Sequence, residues 1–274
     1  TEKGLVRFDG LNFLLIQHAN NPSLPAGPIL GLAADADGNL WIRQRNPSLL
    51  RYRNGKFEDA LPELERKEVG ITAMYRGNGG EILFSALANG ILRYSRGRFL
   101  TLASMAGLPN FLVISMAETS AGDIWMGTRD AGLFRLIGQQ VSAVTNGLPD
   151  LKINCLLPTT NRELWVGTDN GIVRWNQTTL TAAGVPPSLS HIQVLAMIED
   201  RDANVWIGTN SRGLLRLNAQ GVSAFHERDP RFAGAVTAVF EDREGNLWTG
   251  SASGIERLRD SVFLTYSASE GLPS

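Results

Sequence analysis

Nine polar residues lie in short segments that recur at intervals of about forty positions. Their guanidinium, amide and carboxylate groups are the donors and acceptors that bind sugars and other polar ligands. If the segments converge, we expect a ligand-binding rim, with Phe111 and His191 as candidate stacking partners; the alternative is a solvated rim without a ligand. The nine residues are Arg43, Arg45, Asn89, Arg129, Asp130, Asp169, Asn170, Asn210 and Arg212.

Catalysis would need a convergent acid–base pair or a set of metal ligands. The three histidines, His18, His191 and His226, do not share a position in the recurring pattern. Of these, we expect only His191 to reach the rim. Most carboxylates fall in turns on the opposite side, where turn formation explains them. The sequence therefore predicts no catalytic residue, no metal ligand and no cofactor.

The polar segments belong to a repeated unit that is clearest at residues 235–258, AVTAVFEDREGNLWTGSASGIERL. An apolar alternation leads into an acidic Gly-Asn turn, a second strand, a small-residue loop and a third strand. The second strand of each unit carries an aromatic residue, at steps of 43, 41, 40, 41 and 42 residues. A period of about forty built from short strands is typical of a β-propeller. The aromatic residues are Trp41, Phe84, Trp125, Trp165, Trp206 and Trp248.

An arginine marks the third strand of each unit. We predict a structural role, in which its stem covers the blade and its head binds a neighbouring backbone group or carboxylate; a ring of ligand donors is the alternative. The tryptophans are predicted to pack between adjacent blades. The arginines are Arg7, Arg51, Arg93, Arg135, Arg174, Arg216 and Arg257.

If the four strands of a unit are named a to d, the chain has six a–b hairpins but seven c–d pairs. Residues 1–18 match a c–d half, and residues 270–274 match the linker that elsewhere precedes a new strand a. The prediction is an all-β fold, a β-propeller of six complete four-stranded blades plus half of a seventh, as one domain over residues 1–274. A seven-bladed ring would need one more hairpin, before Thr1 or after Ser274, so we expect an excerpt of a longer protein. The incomplete blade is expected to recruit a tandem propeller or another copy.

Composition agrees with this fold class. With 43% apolar residues and 29 glycines, the 274-residue chain suits many short strands and tight turns. A net charge of −1 without a basic run argues against a nucleic-acid partner. The single cysteine, Cys155, allows no internal disulfide. No apolar run is long enough to cross a bilayer, so we expect no membrane contact by this domain itself.

Three strings resemble the two-component regulator propeller repeat: EDREGNLW at residues 241–248, LWVGTDNGIVR at 164–174 and NGLP at 146–149. Their combination at fixed spacing is specific to that family, and the resemblance covers essentially the whole chain. It implies a seven-bladed propeller, often one of two in tandem, in the periplasmic sensor region of a bacterial inner-membrane signalling protein. The output module would be a histidine kinase or a diguanylate cyclase outside this chain.

The resemblance also implies a function. The ligand of such relatives is often an oligosaccharide, although the repeat motif is scaffold and carries no ligand site. The sequence thus predicts a non-catalytic sensor domain, one part of a longer sensor region, that recognises an oligosaccharide or another small polar ligand. Two alternatives stay open. The first is a propeller enzyme, because lyases and lactonases also use this fold and a streptogramin-lyase-like repeat also carries D-G-N-L-W. The second is a structural docking module, which would bind only another protein domain or a tandem copy.

Overall fold

The computed structural model describes residues 4–45, 49–60, 70–87, 90–104, 112–225, 234–259 and 262–266. Within these ranges the chain forms short antiparallel strands and a 3-10 turn at Pro187–Leu189. The strands build six four-stranded sheets and one two-stranded sheet, each with its strands in chain order. The fold is therefore an all-β propeller with six complete blades.

The first three blades follow the predicted a-to-d order. Blade 1 contains β3 (Ile29–Ala34), β4 (Leu40–Gln44), β5 (Leu49–Arg53) and β6 (Lys56–Asp59). Blade 2 contains β7 (Ile71–Arg76), β8 (Ile82–Ala86), β9 (Gly90–Ser95) and β10 (Arg98–Ala103). Blade 3 contains β11 (Val113–Glu118), β12 (Ile124–Thr128), β13 (Leu133–Ile137) and β14 (Gln140–Ala143).

The last three blades repeat that order. Blade 4 contains β15 (Ile153–Pro158), β16 (Leu164–Thr168), β17 (Gly171–Trp175) and β18 (Leu180–Thr181). Blade 5 contains β19 (Val194–Glu199), β20 (Val205–Thr209), β21 (Leu214–Asn218) and β22 (Gly221–Ala224). Blade 6 contains β23 (Val236–Glu241), β24 (Leu247–Ser251), β25 (Gly254–Arg259) and β26 (Val262–Tyr266).

In blades 1, 3, 4 and 5 the marker tryptophan packs on the blade that follows it. Trp125 is fully buried and shares a cluster with Ile153 and Leu164 of blade 4. Trp206 of blade 5 likewise packs with Val236 and Leu247 of blade 6. Burial of so large a ring contributes on the order of 2 kcal/mol or more, so the predicted packing between blades is confirmed.

The assignment of the marker in blade 2 was wrong by one residue. Leu83 pairs with Arg93, as Trp41 pairs with Arg51 in blade 1, so Leu83 occupies the tryptophan position. Phe84 points to the other side of the strand, because side chains alternate. There its ring centre lies 5.3 Å from that of Trp41. Phe84 therefore adds a second ring to the joint between blades 1 and 2, whereas Leu83 fills the tryptophan position at the joint with blade 3.

The marker arginines are structural, as predicted. In five blades the guanidinium carbon lies 5.2–5.7 Å from the centre of the ring of the paired tryptophan. Arg174 also binds Glu163 of its own blade at 2.8 Å, and Arg93 binds Glu118 of the next blade at 3.0 Å. These contacts hold the arginines against the blades rather than at the loop rim.

The acidic turn between strands a and b anchors the tryptophan. In blade 1, Asp35 accepts hydrogen bonds from Trp41 Nε1 at 2.9 Å and from the Asn39 side chain at 2.8 Å. Asp200 and Asp242 bind the tryptophans of blades 5 and 6 in the same way, each at 2.7 Å. The D-x-x-G-N-L-W motif is therefore a folding device that joins a turn to the core.

The two-stranded sheet pairs β1 (Leu5–Phe8) with β2 (Phe13–Ile16). It lies between blades 6 and 1. The Phe8 ring centre is 5.6 Å from that of Trp248, and Leu5 shares a buried cluster with Ile42 of blade 1. The c–d pair predicted near the start of the chain is present, and it joins the last complete blade to the first.

Candidate functional site

The buried threonines of the Gly-Thr motif shape the loops between strands b and c. Thr128 Oγ1 donates to the carbonyl of Gly132 at 2.7 Å and accepts the backbone N–H of Ala131 at 2.9 Å. Thr168 and Thr209 make the equivalent bonds in blades 4 and 5. Because each hydroxyl closes its own loop, the residues that follow the threonine are presented at the blade end.

The linkers that enter strand a meet these loops. The backbone N–H of Gly132 donates to Leu151 O at 2.9 Å, across from blade 3 to the linker of blade 4. The N–H of Asn210 donates to Gln193 O at 3.0 Å within blade 5. Loops and linkers of blades 3 to 5 thus form a continuous hydrogen-bonded rim.

Asp169 is the centre of that rim. Its Oδ1 accepts hydrogen bonds from the Gln193 side chain at 2.7 Å and the Asn154 side chain at 2.8 Å, and its Oδ2 accepts one from Lys152 Nζ at 3.1 Å. Asn154 also donates to Val194 O at 2.9 Å. One carboxylate therefore ties the b–c loop of blade 4 to the entries of blades 4 and 5.

Asn170 and His191 extend the cluster outward. His191 Nδ1 lies 2.9 Å from Asn170 Oδ1, and the imidazole is exposed. Asn170 Nδ2 donates to Pro149 O at 3.2 Å. Arg212 binds the carbonyl of Ser188 at 2.7 Å, which holds the linker before blade 5. We call Lys152, Asn154, Asp169, Asn170, His191 and Gln193 the loop arc.

The electrostatics of the loop arc favour binding over proton transfer. Burial raises the pKa of Asp169, but hydrogen bonds from Asn154, Gln193 and Lys152 outweigh burial and hold the pKa below its ordinary value. Asp169 is therefore ionised at neutral pH and already engaged by three donors. Such a group positions its neighbours and is a poor general base, whose pKa should lie near the working pH.

The structure gathers some of the nine predicted residues and separates others. Asp169, Asn170, Asn210 and Arg212 meet at the linker before blade 5. Arg129 and Asp130 are exposed on the loop of blade 3, which contacts the linker one residue before Lys152. Arg45 is exposed just after β4. Asn89, Phe111 and His226 lie outside the described residues.

The placement of Arg43 in a b–c loop was wrong. Arg43 lies within β4, pairs with Gly31 and takes the position that glycine holds in blades 3 to 6. Its Nη2 donates to Leu30 O at 3.3 Å, and burial lowers its pKa from the ordinary value. Strand b runs from one residue before the tryptophan to three after it in blade 1 as in blades 3 to 6, so the position of Arg43 lies inside the strand, and the b–c loop begins only after Gln44.

Sequence reasoning missed Lys152, Asn154 and Gln193. Each flanks a buried residue at a strand entry, Ile153 or Val194. Since successive side chains of a strand point to opposite faces, polar residues beside a buried one had to face away from the core. That alternation was the signal that could have found them.

The described ranges contain no group of three or more His, Cys, Asp or Glu side chains arranged to hold a metal ion. The same part of the chain contains no helix that is long and apolar enough to cross a membrane.

The family model for the two-component regulator propeller matches residues 147–170. The chain carries a two-component regulator propeller repeat. The match spans the first hairpin of blade 4, and the resemblance inferred from the repeated motifs is confirmed. Four residues of the loop arc, Lys152, Asn154, Asp169 and Asn170, fall inside this repeat. No curated protein sequence matches the chain.

Solved structures share the fold of this propeller. It is similar to the extracellular domain of the hybrid two-component system BT3049 of B. thetaiotaomicron, with a TM-score of 0.75 and 20% identity over 93% of this chain and 37% of that one. It is also similar to PorZ, a surface component of the type-IX secretion system of Porphyromonas gingivalis, with a TM-score of 0.72 and 17% identity over 92% and 42%. The chain therefore spans about two fifths of each of these two solved chains.

A propeller enzyme shares the fold as well. Virginiamycin B lyase from Staphylococcus aureus matches with a TM-score of 0.68 and 19% identity over 87% of this chain and 84% of that one. At these identities the similarities establish the propeller architecture alone, and the function must be argued from the side chains of this chain.

Proposed function

We propose that this propeller is a non-catalytic sensor domain that recognises an oligosaccharide or another small polar ligand at the loop arc. The observation that carries the proposal is the network around Asp169, in which three side chains from two strand entries converge on one carboxylate. Side chains held in this way are pre-organised, so a ligand does not have to order them. The network also joins blades 4 and 5, which gives a bound ligand a means of altering their contact.

The family supports the same function. The propeller repeat and the likeness to the extracellular domain of a two-component system both favour a signalling protein. We propose that the domain lies outside the cytoplasm, in the periplasmic part of an inner-membrane protein. The output module, a histidine kinase or a diguanylate cyclase, would then lie elsewhere in the longer protein.

A thermal-shift screen against mono- and oligosaccharides tests the proposal, with EDTA and divalent metals in parallel. A ligand that binds only the folded state at 100 times its Kd stabilises it by about 2.7 kcal/mol. We expect at least one sugar to raise the unfolding midpoint with no metal dependence. If no sugar or other small polar compound raises the midpoint, ligand recognition at the loop arc is wrong.

Two variants localise the effect. Asp169→Asn removes the acceptor shared by three donors, and Gln193→Leu removes one donor while keeping the carboxylate; both should abolish the sugar-dependent shift. The matched control is Asp202→Asn, an exposed carboxylate in the turn at the opposite end of blade 5. This control should keep the full shift.

A lyase is the second candidate function, because the match to virginiamycin B lyase extends over most of that enzyme. On this hypothesis His191, the one described histidine in the loop arc, would transfer a proton. Incubation with quinupristin, followed by mass spectrometry, separates the two functions. The sensor proposal expects the compound to be recovered intact, whereas turnover that His191→Ala removes would establish the lyase.

We also propose that the two-stranded sheet is the outer half of a seventh blade. Phe8 packs on Trp248 as Trp175 and Tyr94, which also lie near the end of a strand c, pack on the tryptophan of the preceding blade. Strands a and b of this blade would come from a tandem propeller or from another copy. Light scattering should find a concentration-dependent dimer of the 274-residue chain and a monomer once an a–b hairpin is added. A monomer at every concentration would argue against recruitment of a second copy.

A further inference from the structure

A cleft opens between blades 3 and 4 at the end of the molecule opposite the loop arc. Its volume is about 490 Å³, and its walls come from the a–b turn of blade 3, Arg135, the a–b turn of blade 4 and the end of β17. At this end of the molecule, a hydrogen bond from one a–b turn to the neighbouring blade closes each of the joints between blades 1 and 2, 2 and 3, 4 and 5, and 5 and 6. Two residues at this joint differ from their counterparts in three of the other repeats, and they explain the opening.

The first difference is Thr119. Blades 1, 5 and 6 place an aspartate at this turn position, and its carboxylate binds the tryptophan N–H. In blade 3 the residue six positions before Trp125 is Thr119. Trp125 Nε1 and Thr119 Oγ1 are both buried without a hydrogen-bond partner among the described residues. Both residues line the cleft.

The second difference is Pro158. At the end of strand a, blades 3, 5 and 6 carry a glutamate that accepts a backbone N–H from the turn of the preceding blade: Glu118 from Asn78 at 2.8 Å, Glu199 from Thr160 at 2.7 Å and Glu241 from Arg201 at 3.1 Å. Blade 4 has Pro158 there, paired with Leu164 as Glu118 is paired with Ile124. Pro158 has no carboxylate to bind the turn of blade 3, so the joint stays open.

Aromatic and charged side chains line the opened joint. The rings of Trp125 and Trp175 lie 5.1 Å apart between centres, and the guanidinium carbon of Arg135 lies 5.2 Å from the first and 5.5 Å from the second. Asp123 neutralises Arg135 through a salt bridge. Trp175 is only half-buried, so part of its ring faces the cleft.

Arg162 supplies an uncompensated positive charge. Its side chain is exposed at the cleft and has no carboxylate partner among the described residues, unlike that of Arg135. Gln177 adds an exposed amide at the same edge. The cleft therefore combines an aromatic face, one free guanidinium and an exposed amide, with two unsatisfied polar atoms buried in its wall.

We propose that this cleft binds an acidic sugar, a pyranose ring that carries a carboxylate. The apolar face of the ring would stack on Trp175, and the carboxylate would pair with Arg162, whose planar fork suits it. A sugar hydroxyl both donates and accepts, so it can bind the exposed amide of Gln177 at the same edge. This site is independent of the loop arc, because the two lie at opposite ends of the blades.

The test is a titration of the protein with D-glucuronate, D-glucose and acetate, followed by tryptophan fluorescence. Glucuronate should saturate the site at least about tenfold more tightly than glucose, a difference of about 1.4 kcal/mol, and acetate should not saturate it. Glucose binding as tight as glucuronate would overturn the acidic class. Acetate that competes as well as glucuronate would reduce the site to an anion site, and no saturation with glucuronate would remove the site.

Three variants connect the binding to the cleft. Arg162→Gln should reduce glucuronate affinity to that of glucose, while the exposed Arg98→Gln in blade 2 should not change it. Thr119→Asp restores the aspartate of blades 1, 5 and 6, so it should raise the unfolding midpoint and at the same time abolish binding. Pro158→Glu, which supplies the missing acceptor, should act in the same direction. Unchanged glucuronate affinity in Arg162→Gln and Thr119→Asp would overturn the proposal.

Discussion

In blade 1, a single carboxylate both caps the a–b turn and binds the marker tryptophan. Asp35 is 8% exposed, caps the backbone N–H groups of Asp37 and Asn39, and accepts the Trp41 indole N–H. Burial raises the pKa of Asp35, but the hydrogen bonds from Asn39 and Trp41 outweigh it and leave the pKa below the ordinary value. The folded state therefore prefers the ionised form, and folding is coupled to pH at this residue.

We expect Asp35→Asn to lower the free energy of unfolding at pH 7 by about 1–3 kcal/mol, because bonds to a charged acceptor are lost. Since the pKa is lower in the folded protein, this stabilisation is complete above the unfolded pKa of about 3.9 and is lost as pH falls through the folded value. Urea unfolding at pH 7 and at acidic pH below that range measures it. If the difference in the free energy of unfolding between the wild type and Asp35→Asn stays constant with pH, the lowered pKa of Asp35 in the folded state is wrong.

At the scale of the element, the b–c loop is held by one hydroxyl. Thr168 is fully buried, donates to Gly171 O at 2.8 Å and accepts the N–H of Asn170 at 3.0 Å. The same loop carries Asp169 into the loop arc. Loss of the hydroxyl would remove a partner from the buried carbonyl of Gly171 and from the partly buried N–H of Asn170, and the loop would be less firmly held.

Thr168→Val, which keeps the shape and removes the hydroxyl, should therefore cost about 1–3 kcal/mol of stability and weaken any sugar-dependent shift. The matched control is Ser251→Ala in blade 6, where the equivalent bond is 3.4 Å long and the residue is partly exposed. This control should cost less. Equal losses at the two positions, measured by urea unfolding, would show that the buried hydroxyl has no special role.

The strands were largely predictable, because period-two alternation and turn residues repeat in every blade. The marker position failed only where Leu83 replaces tryptophan and a neighbouring Phe84 offers a ring. The candidate site was harder to predict from the sequence. Asp169 was found from its loop, but its partner Gln193 lies on another blade, and no local pattern states which side chains meet across blades.

The cleft between blades 3 and 4 shows the same limit. In the sequence, Thr119 and Pro158 look like ordinary variation. Each stands where several other blades have a carboxylate that accepts a hydrogen bond. Their common effect depends on the two turns lying next to each other at one joint, which only the structure shows. Arg43 was misplaced for another reason, because the position that glycine holds in blades 3 to 6 was taken as the start of the b–c loop, whereas it lies inside strand b.

For the whole molecule, the two-stranded sheet connects the ends of the ring of blades. Phe8 stacks on Phe13 with 4.6 Å between ring centres and contacts Trp248 of blade 6, while Leu5 packs with Ile42 of blade 1. Each blade is therefore supported on both sides. We expect unfolding to be a single cooperative transition, since loss of one joint removes support from two blades.

Phe8→Ala should lower the stability of the whole molecule by about 1–3 kcal/mol, as expected for loss of a half-buried ring. Tryptophan fluorescence and circular dichroism should report the same shifted midpoint. Leu14→Ala is the control in the same sheet, because Leu14 is 55% exposed and its loss should cost less than about 0.5 kcal/mol. A variant in which only the Trp248 signal changes would show that the two-stranded sheet is a local appendage.

The measurement that tests the central claim most directly is hydrogen exchange by mass spectrometry, with and without the sugar that gives the largest thermal shift. Recognition by the loop arc predicts new protection in the segments 150–154, 168–170 and 190–194. Protection confined to residues 119–125 and 175–177 would place that sugar in the cleft between blades 3 and 4. Protection in neither region would contradict the sensor role proposed for this end of the propeller.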